Sequence, residues 1–293
     1  MLQQCYLHHY ALLLVVLSST SLALSSPSAP RRVLVTGAGG RTGRLVLQQL
    51  LASEAFDPVG LVRTKQPSSE NKDDCTAAQT IVADIRDAGA MREACGGMDA
   101  MIICTSATPS PLEGQTTADG RPVFGYPNGQ PEEVDWLGQK NQIDAAKQAG
   151  VSHIVVCSSM GGTNPDNPLN QFGRNEDGTG GNILLWKRKA EQYLIDSGVT
   201  YTILHPGGLT DDAGGERELV LGVDDEQHTT DNRSIPRADV ARLLVAALEH
   251  ESYRNRSFDA RSRPVGEGDV TTDFDQLLKD MTTNCDYTKG RTM

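Results

Sequence analysis

The 293-residue chain has no C-x-x-C pair, no run rich in Lys and Arg, and no apolar stretch after residue 30 that approaches a membrane span. Each absence closes a class of function. The six cysteines, at 5, 75, 95, 104, 157 and 285, follow no regular spacing, so they give neither a disulfide framework nor a metal-ligand motif. Cys104 and Cys157 end apolar runs, where buried free thiols are common, and this favours a reducing compartment for the mature chain. With 38 acidic against 27 basic residues the net charge is −11. Nucleic-acid binding, which needs a basic face to displace counterions, is excluded as a main activity. Internal repeats, heptads and low-complexity tracts are also missing.

The opening segment reads as an address rather than part of the fold. Residues 11–17, ALLLVVL, form an apolar run too short to span a bilayer, with Ser21 and Ala23 spaced as small cleavage-site residues after it. The first ten residues lack Lys and Arg, and beyond Ala23 the chain is Ser/Pro-rich and then basic. Residues 1–30 are therefore expected to be a cleavable leader that directs the chain to the secretory route or a plastid, with the mature protein starting near residue 24. Two glycan-acceptor tripeptides, at Asn232 and Asn255, fit the secretory route weakly. Without the leader about 265 residues remain, enough for one sizeable domain.

Apolar β-type runs alternate with helix-period segments: RVLVT (32–36), a helix from Thr42, PVGLVR (58–63), TIVAD (80–84), a helix near 87–95 and DAMIICT (99–105). A helix near 132–149, HIVVCSS (153–159), a helix near 183–197 and TYTILH (200–205) follow. Strands of nearly continuous apolar character, separated by helices, indicate an α/β fold: a doubly wound parallel sheet with helices on both faces. Residues 106–131 and 160–182 break the rhythm as long polar loops rich in Gly, Pro and Asn. Both follow strand C-termini, the side on which open α/β sheets bind ligands. With residues 206–235 they form the expected substrate side, a small C-terminal lobe. The domain is read as residues 31–284, with 285–293 as a tail.

The stretch VTGAGGRTG carries the chemistry. Gly37, Gly39, Gly40 and Gly43, with Arg41 and Thr42 among them, end the first strand and open a helix, the context a dinucleotide cradle requires. Gly37 allows the turn, Gly40 lets the backbone approach a pyrophosphate, and Gly43 lets helix and strand pack closely. The helix N-terminus offers unpaired N–H groups and positive partial charge to the phosphates. The second strand ends in Arg63, where an NAD site places an acid for the ribose 2′-OH; arginine suits a 2′-phosphate instead. Arg41 and Lys65 are candidates to join it, and NADP(H) is the expected cofactor.

VTGAGGRTG, ADI (83–85), VDWLGQKNQIDAAKQAGVSHIVV (134–156), SSMGGTNP (158–165), WKRKAEQYLIDSG (186–198) and YTILHPGG (201–208) resemble the atypical short-chain dehydrogenase/reductases. The similarity is to the NmrA-like, plant-type NADP-binding Rossmann proteins and covers residues 32–284. It implies that Asp84 and Ile85 border the adenine, that Thr105 and Ser106 lie along the ribose and nicotinamide, and that Pro206 and Gly207 border the nicotinamide. Ser159 falls at the end of the fifth strand. Short-chain reductases commonly place a Tyr four residues before a Lys on the following helix, where the phenol moves the proton that accompanies hydride transfer. With Lys187 in the lysine position, the tyrosine position holds Ile183, which moves no proton. The resemblance implies that Lys187 hydrogen-bonds the ribose hydroxyls of the cofactor; Lys187, through a pKa depressed by desolvation, and Ser159 are the candidate catalytic groups, with Tyr126 and His205 ranked below them. Two functions follow: an NADP-dependent reductase of a small organic substrate (quinone, flavin or carbonyl), or a catalytically silent NADP(H)-binding sensor or assembly protein. An epimerase is the weaker third. No metal is expected, and the oligomeric state is left open.

Overall fold

The computed structural model describes residues 29–64, 79–116, 119–175, 177–279 and 281–290. The leader up to residue 28, Cys5, Lys65 and Cys75 lie outside the described residues.

The first half runs β1 (Arg31–Thr36), α1 (Arg41–Leu51), β2 (Phe56–Val62), β3 (Gln79–Val82), α2 (Ala88–Ala94) and β4 (Ala100–Ile103). A short hairpin, β5 (Ser110–Thr116) and β6 (Pro122–Gly125), follows, and then a π-helical turn (Glu132–Gly138) runs directly into α3 (Gln139–Ala149). The second half runs β7 (His153–Cys157), α4 (Ile183–Asp196), β8 (Tyr201–Pro206), β9 (Gly208–Thr210), β10 (Leu219–Gly222), β11 (Ser234–Pro236), α5 (Arg237–Glu249), β12 (Arg256–Ser262) and α6 (Phe274–Lys279). The main sheet has the order β10-β12-β8-β7-β4-β1-β2-β3. All neighbours are parallel except β10, which joins β12 antiparallel at the edge.

Alternation along each strand divides the core in two. Val33 and Val35 of β1 and Ile102 of β4 join Val46, Leu47 and Leu50 of α1 and the apolar face of α5. Leu34, Met101 and Ile103 point the other way, onto α2 and α3 through Met91, Ile143 and Ala146. Both faces of the strands are dry, which explains why they read as unbroken apolar runs. Local signals set the helix ends. Asp87 caps α2 by accepting from the N–H groups of Gly89 and Ala90 at 2.8 and 3.1 Å, and Gly150, at φ 78°, ends α3.

Three sequence readings need revision. Residues 106–131 are not simply a loop, because they contain the β5–β6 hairpin. The helix near 132–149 begins as a π-helix, and the extra residue per turn there places Asp135 inward. Residues 285–290, read as a tail, dock on the domain: Cys285 is buried and Arg188 stacks on Tyr287 at 4.1 Å. No helix among the described residues is long and apolar enough to cross a membrane.

Candidate cofactor-binding site

Strand order reverses direction between β1 and β4, and ligands of open α/β sheets bind in the crevice at that point. A cleft of about 320 Å³ lies there. Gly37, Gly39 and Gly40 form one end of it, Arg63 follows β2, Asp84, Ile85 and Arg86 follow β3, and Thr105 and Ser106 follow β4.

The turn has reasons to be glycine that do not depend on a ligand. Gly37 sits at φ 70°, and a Cβ there would stand 2.8 Å from the Cys104 carbonyl. A Cβ on Gly43 would collide with the Gly37 carbonyl, so the first turn of α1 lies directly against the loop. Gly40 is the N-cap and has no side chain to cap with. The first N–H groups of α1 are therefore left for a ligand or water. Thr42 lies in that first turn.

The charged rim is more elaborate than the sequence indicated. Arg63 donates to the Asn128 carbonyl and to its side-chain oxygen, both at 3.0 Å, which ties the end of β2 to the loop after β6. Arg86, overlooked in the sequence, forks onto Asp84 at 2.6–3.1 Å and lies 3.8 Å from Glu133. Hydrogen bonds from Arg86 hold the Asp84 carboxyl below its ordinary range. Arg41 does not join Arg63; it pairs with Asp211 at 3.1 Å, and Asp211 also takes Arg237 at 2.6 Å. Behind the cleft floor, buried Gln142 accepts from Thr36 Oγ1 at 2.6 Å and donates to Thr105 Oγ1 at 3.2 Å, fixing the threonine at the mouth of β4.

The remaining predicted residues lie elsewhere. Lys187 is buried on α4 with its Nζ 2.8 Å from Asp135 Oδ1; the other Asp135 oxygen accepts from the Ala107 N–H at 3.0 Å. Burial works against the ammonium, but the Asp135 carboxylate outweighs it and raises the Lys187 pKa above the ordinary 10.5. The expected lysine of depressed pKa is thus corrected: Lys187 is a paired cation supporting the Ser106–Ala107 backbone from behind. Ile183 packs with Ala107, Tyr126 and Leu184 in an apolar cluster, so the tyrosine position is filled with hydrocarbon. Tyr126 has its pKa pushed up to about 12 by burial and by the Asp135 charge. Ser159 donates to the Met160 carbonyl at 3.0 Å and borders a different, minute cavity. Pro206 is buried at the end of β8, and Gly207 is glycine because the Arg233 backbone would overlap a Cβ there. Neither lines the cleft.

Sequence reasoning also missed a buried cluster behind α4. His205 lies with Nε2 3.1 Å from Glu191 Oε2 and Nδ1 3.2 Å from Asp259 Oδ1, and Ser158 donates to Glu191. Burial alone would discharge both groups. The two carboxylates raise the His205 pKa well above its ordinary value, and the imidazolium and Arg188 hold Glu191 down at about 2. Only the placement of His205 at a strand end hinted at this cluster.

Comparison with known proteins agrees with the cleft. Residues 37–251 match the family model described as NAD(P)H-binding. An uncharacterised chloroplastic protein of Arabidopsis thaliana is 48% identical over 269 residues, covering 90% of this chain and 80% of that protein. The sanguinarine reductase of Eschscholzia californica is 45% identical over 281 residues, covering 89% of this chain and 99% of the reductase. An oxidoreductase of Lactococcus lactis superposes with a TM-score of 0.58 at 18% identity over 85% of this chain and 96% of that one, which shows the shared fold. The glycine turn at the switch point and the match across most of the chain place this protein in the NAD(P)H-binding family of Rossmann-fold proteins.

Proposed function

We propose that the chain is an NADPH-dependent reductase of a small organic substrate. The observation that carries this is the cleft itself. A glycine turn and an uncapped helix N-terminus adjoin a wall where Arg63 rather than an acid follows β2. Two arginines, Arg63 and Arg86, flank the adenosine end, and Asp84 is already engaged by Arg86. A 2′-phosphate is the group such a wall suits, through charge-assisted contacts. The near full-length similarity to a protein named sanguinarine reductase supports reduction as the reaction. Ile183 stands where a short-chain reductase has its tyrosine. The substrates that fit are those whose reduced form need not be protonated inside the site: quinones and flavins, whose reduced anions are delocalised, ahead of simple carbonyls, which become alkoxides. The Phe124–Phe172 edge-to-face pair, with ring centroids 6.4 Å apart, puts exposed aromatic surface on the two substrate-side loops and favours a flat apolar substrate.

The test is NADPH oxidation by the purified protein, followed by loss of nicotinamide absorbance, against quinones, flavins, sanguinarine and small carbonyls. Turnover of one of the first three with little on carbonyls is expected. Tight NADPH binding with no turnover in the whole panel would overturn the reductase reading and leave the sensor reading, which the hydrocarbon-filled tyrosine position favours. We also propose that residues 1–30 direct the chain to a plastid, as the similarity to a chloroplastic protein supports. Its test is import of a fusion of residues 1–30 to a reporter into isolated chloroplasts; a reporter that enters the secretory route instead would refute it.

A further inference from the structure

His205, Asp259 and Cys285 come from three elements distant in sequence: the end of β8, the middle of β12 and the segment after α6. His205 and Asp259 are register partners on adjacent parallel strands. Cys285 is brought over them by its backbone N–H, which donates to Ser257 Oγ at 3.1 Å. All three side chains are buried, and one donor atom of each lies within 4.8 Å of the others. The separations are 3.2 Å from His205 Nδ1 to Asp259 Oδ1, 3.6 Å from Cys285 Sγ to Nδ1, and 3.9 Å from Sγ to Oδ1. A tetrahedral zinc ion with ordinary bond lengths separates its nitrogen and oxygen ligands by about 3.4 Å and its sulfur from either by about 3.6 Å. From this geometry we infer a zinc-binding site formed by His205 Nδ1, Asp259 and the Cys285 thiolate.

The surroundings match what such a site requires. Metal-bound histidines give their other ring N–H to a carboxylate, which fixes the tautomer, and here Nε2 faces Glu191 Oε2 at 3.1 Å. The second oxygen of Asp259 accepts from the Asp225 N–H at 2.7 Å, which orients the carboxylate. A void of about 10 Å³ adjoins the three donors, bordered by Ser159, Thr163 and Asp225. That is about one water-sized sphere, the least a fourth ligand needs, and Arg188 and Asp224 border it as well. A nitrogen, a thiolate and one carboxylate form a borderline donor set that suits Zn²⁺ over Mg²⁺ or Ca²⁺. The spacing 205, 259, 285 belongs to no sequence motif, which is why the cysteine pattern gave no hint of it. The ion would pin the segment after α6 to the sheet.

The test is metal analysis of the full mature chain after incubation with Zn²⁺ and desalting, with Co²⁺ substitution as the spectroscopic reporter. The expected result is one retained equivalent, with a thiolate-to-cobalt charge-transfer band and tetrahedral d–d absorption. C285S should lose the charge-transfer band and most of the retained metal. C104A, whose thiol lies at the end of β4, should keep both, and its behaviour separates a site effect from unfolding. Absence of retained zinc and of any cobalt–thiolate band in the unaltered chain would overturn the proposal. So would a band that survives in C285S, because the thiolate would then belong to another cysteine.

Discussion

Arg63 and Arg86, on the rim of the cleft, pair with groups that water still reaches, whereas Lys187, Glu191 and His205, behind it, are enclosed with their partners. The Arg86–Asp84 pair leaves 41% and 31% of its side chains exposed, and the Lys187–Asp135 pair leaves 8% and 0%. The two regions therefore use charge differently. At the rim, charge stays in reach of solvent. Inside, each charge is matched to a particular partner, because an unmatched one would bear the full desolvation penalty. Function is read at the rim; the tolerance of the fold to change is set inside.

The largest expected effect breaks the interior. Lys187→Met leaves the Asp135 carboxylate buried without its cation and should lower unfolding stability by about 3–5 kcal/mol. Pairing it with Asp135→Asn, which removes the charge and keeps an acceptor for the Ala107 N–H, should restore most of that. By contrast, Arg86→Ala should cost less than about 1 kcal/mol, as exposed ion pairs do. Urea denaturation of the four proteins checks the contrast, and a Lys187→Met variant as stable as the parent would abolish it.

Next in size is cofactor preference at the rim. Arg63→Ala should weaken NADPH binding by roughly 1.5–3 kcal/mol while leaving NADH affinity nearly unchanged. Calorimetric titration with both nucleotides measures this. Equal affinity of the unaltered chain for the two would contradict the arginine assignment.

A smaller, constructive change joins the two regions. Ile183→Tyr puts a phenol one helical turn before Lys187. Because Lys187 is committed to Asp135, the gain on carbonyl substrates should be about tenfold, well short of the roughly 10²–10⁴-fold of an established general acid. Steady-state rates on a carbonyl and a quinone report it; an increase confined to the quinone would argue against the proton-transfer explanation.

A pH contrast concerns Cys95, at the end of α2, whose thiol burial pushes up from 9.0 to about 12. The unfolded chain releases this proton first. The associated stability is therefore complete below pH 9 and is lost as pH rises toward 12. Denaturation at pH 8 and pH 10.5 should show a shallower alkaline loss for Cys95→Ala than for the parent.

Much of this molecule is written locally. The glycine turn, the Asp87 cap, the Gly150 stop and the unbroken apolar strands each depend on neighbours within a few residues, so they were legible together with the parallel α/β order. The position of Arg63 after β2 was legible for the same reason. The roles of Arg41 and Lys187 were not, since each is decided by one carboxylate far away in sequence, Asp211 and Asp135. The Asp135 placement further depends on a π-helical turn that periodicity reads as α.

The sequence by itself determined the class of fold and the glycine turn after β1, because backbone geometry at a strand–glycine–helix junction is set by short-range sterics. Tertiary structure alone decided which buried charges meet. A strand-end histidine, an aspartate on the next parallel strand and a cysteine in a supposed tail share one pocket only after the sheet has assembled. Burial favours that meeting, since in a dry interior the charges of the histidine and the aspartate need partners, whereas the thiol simply packs against them.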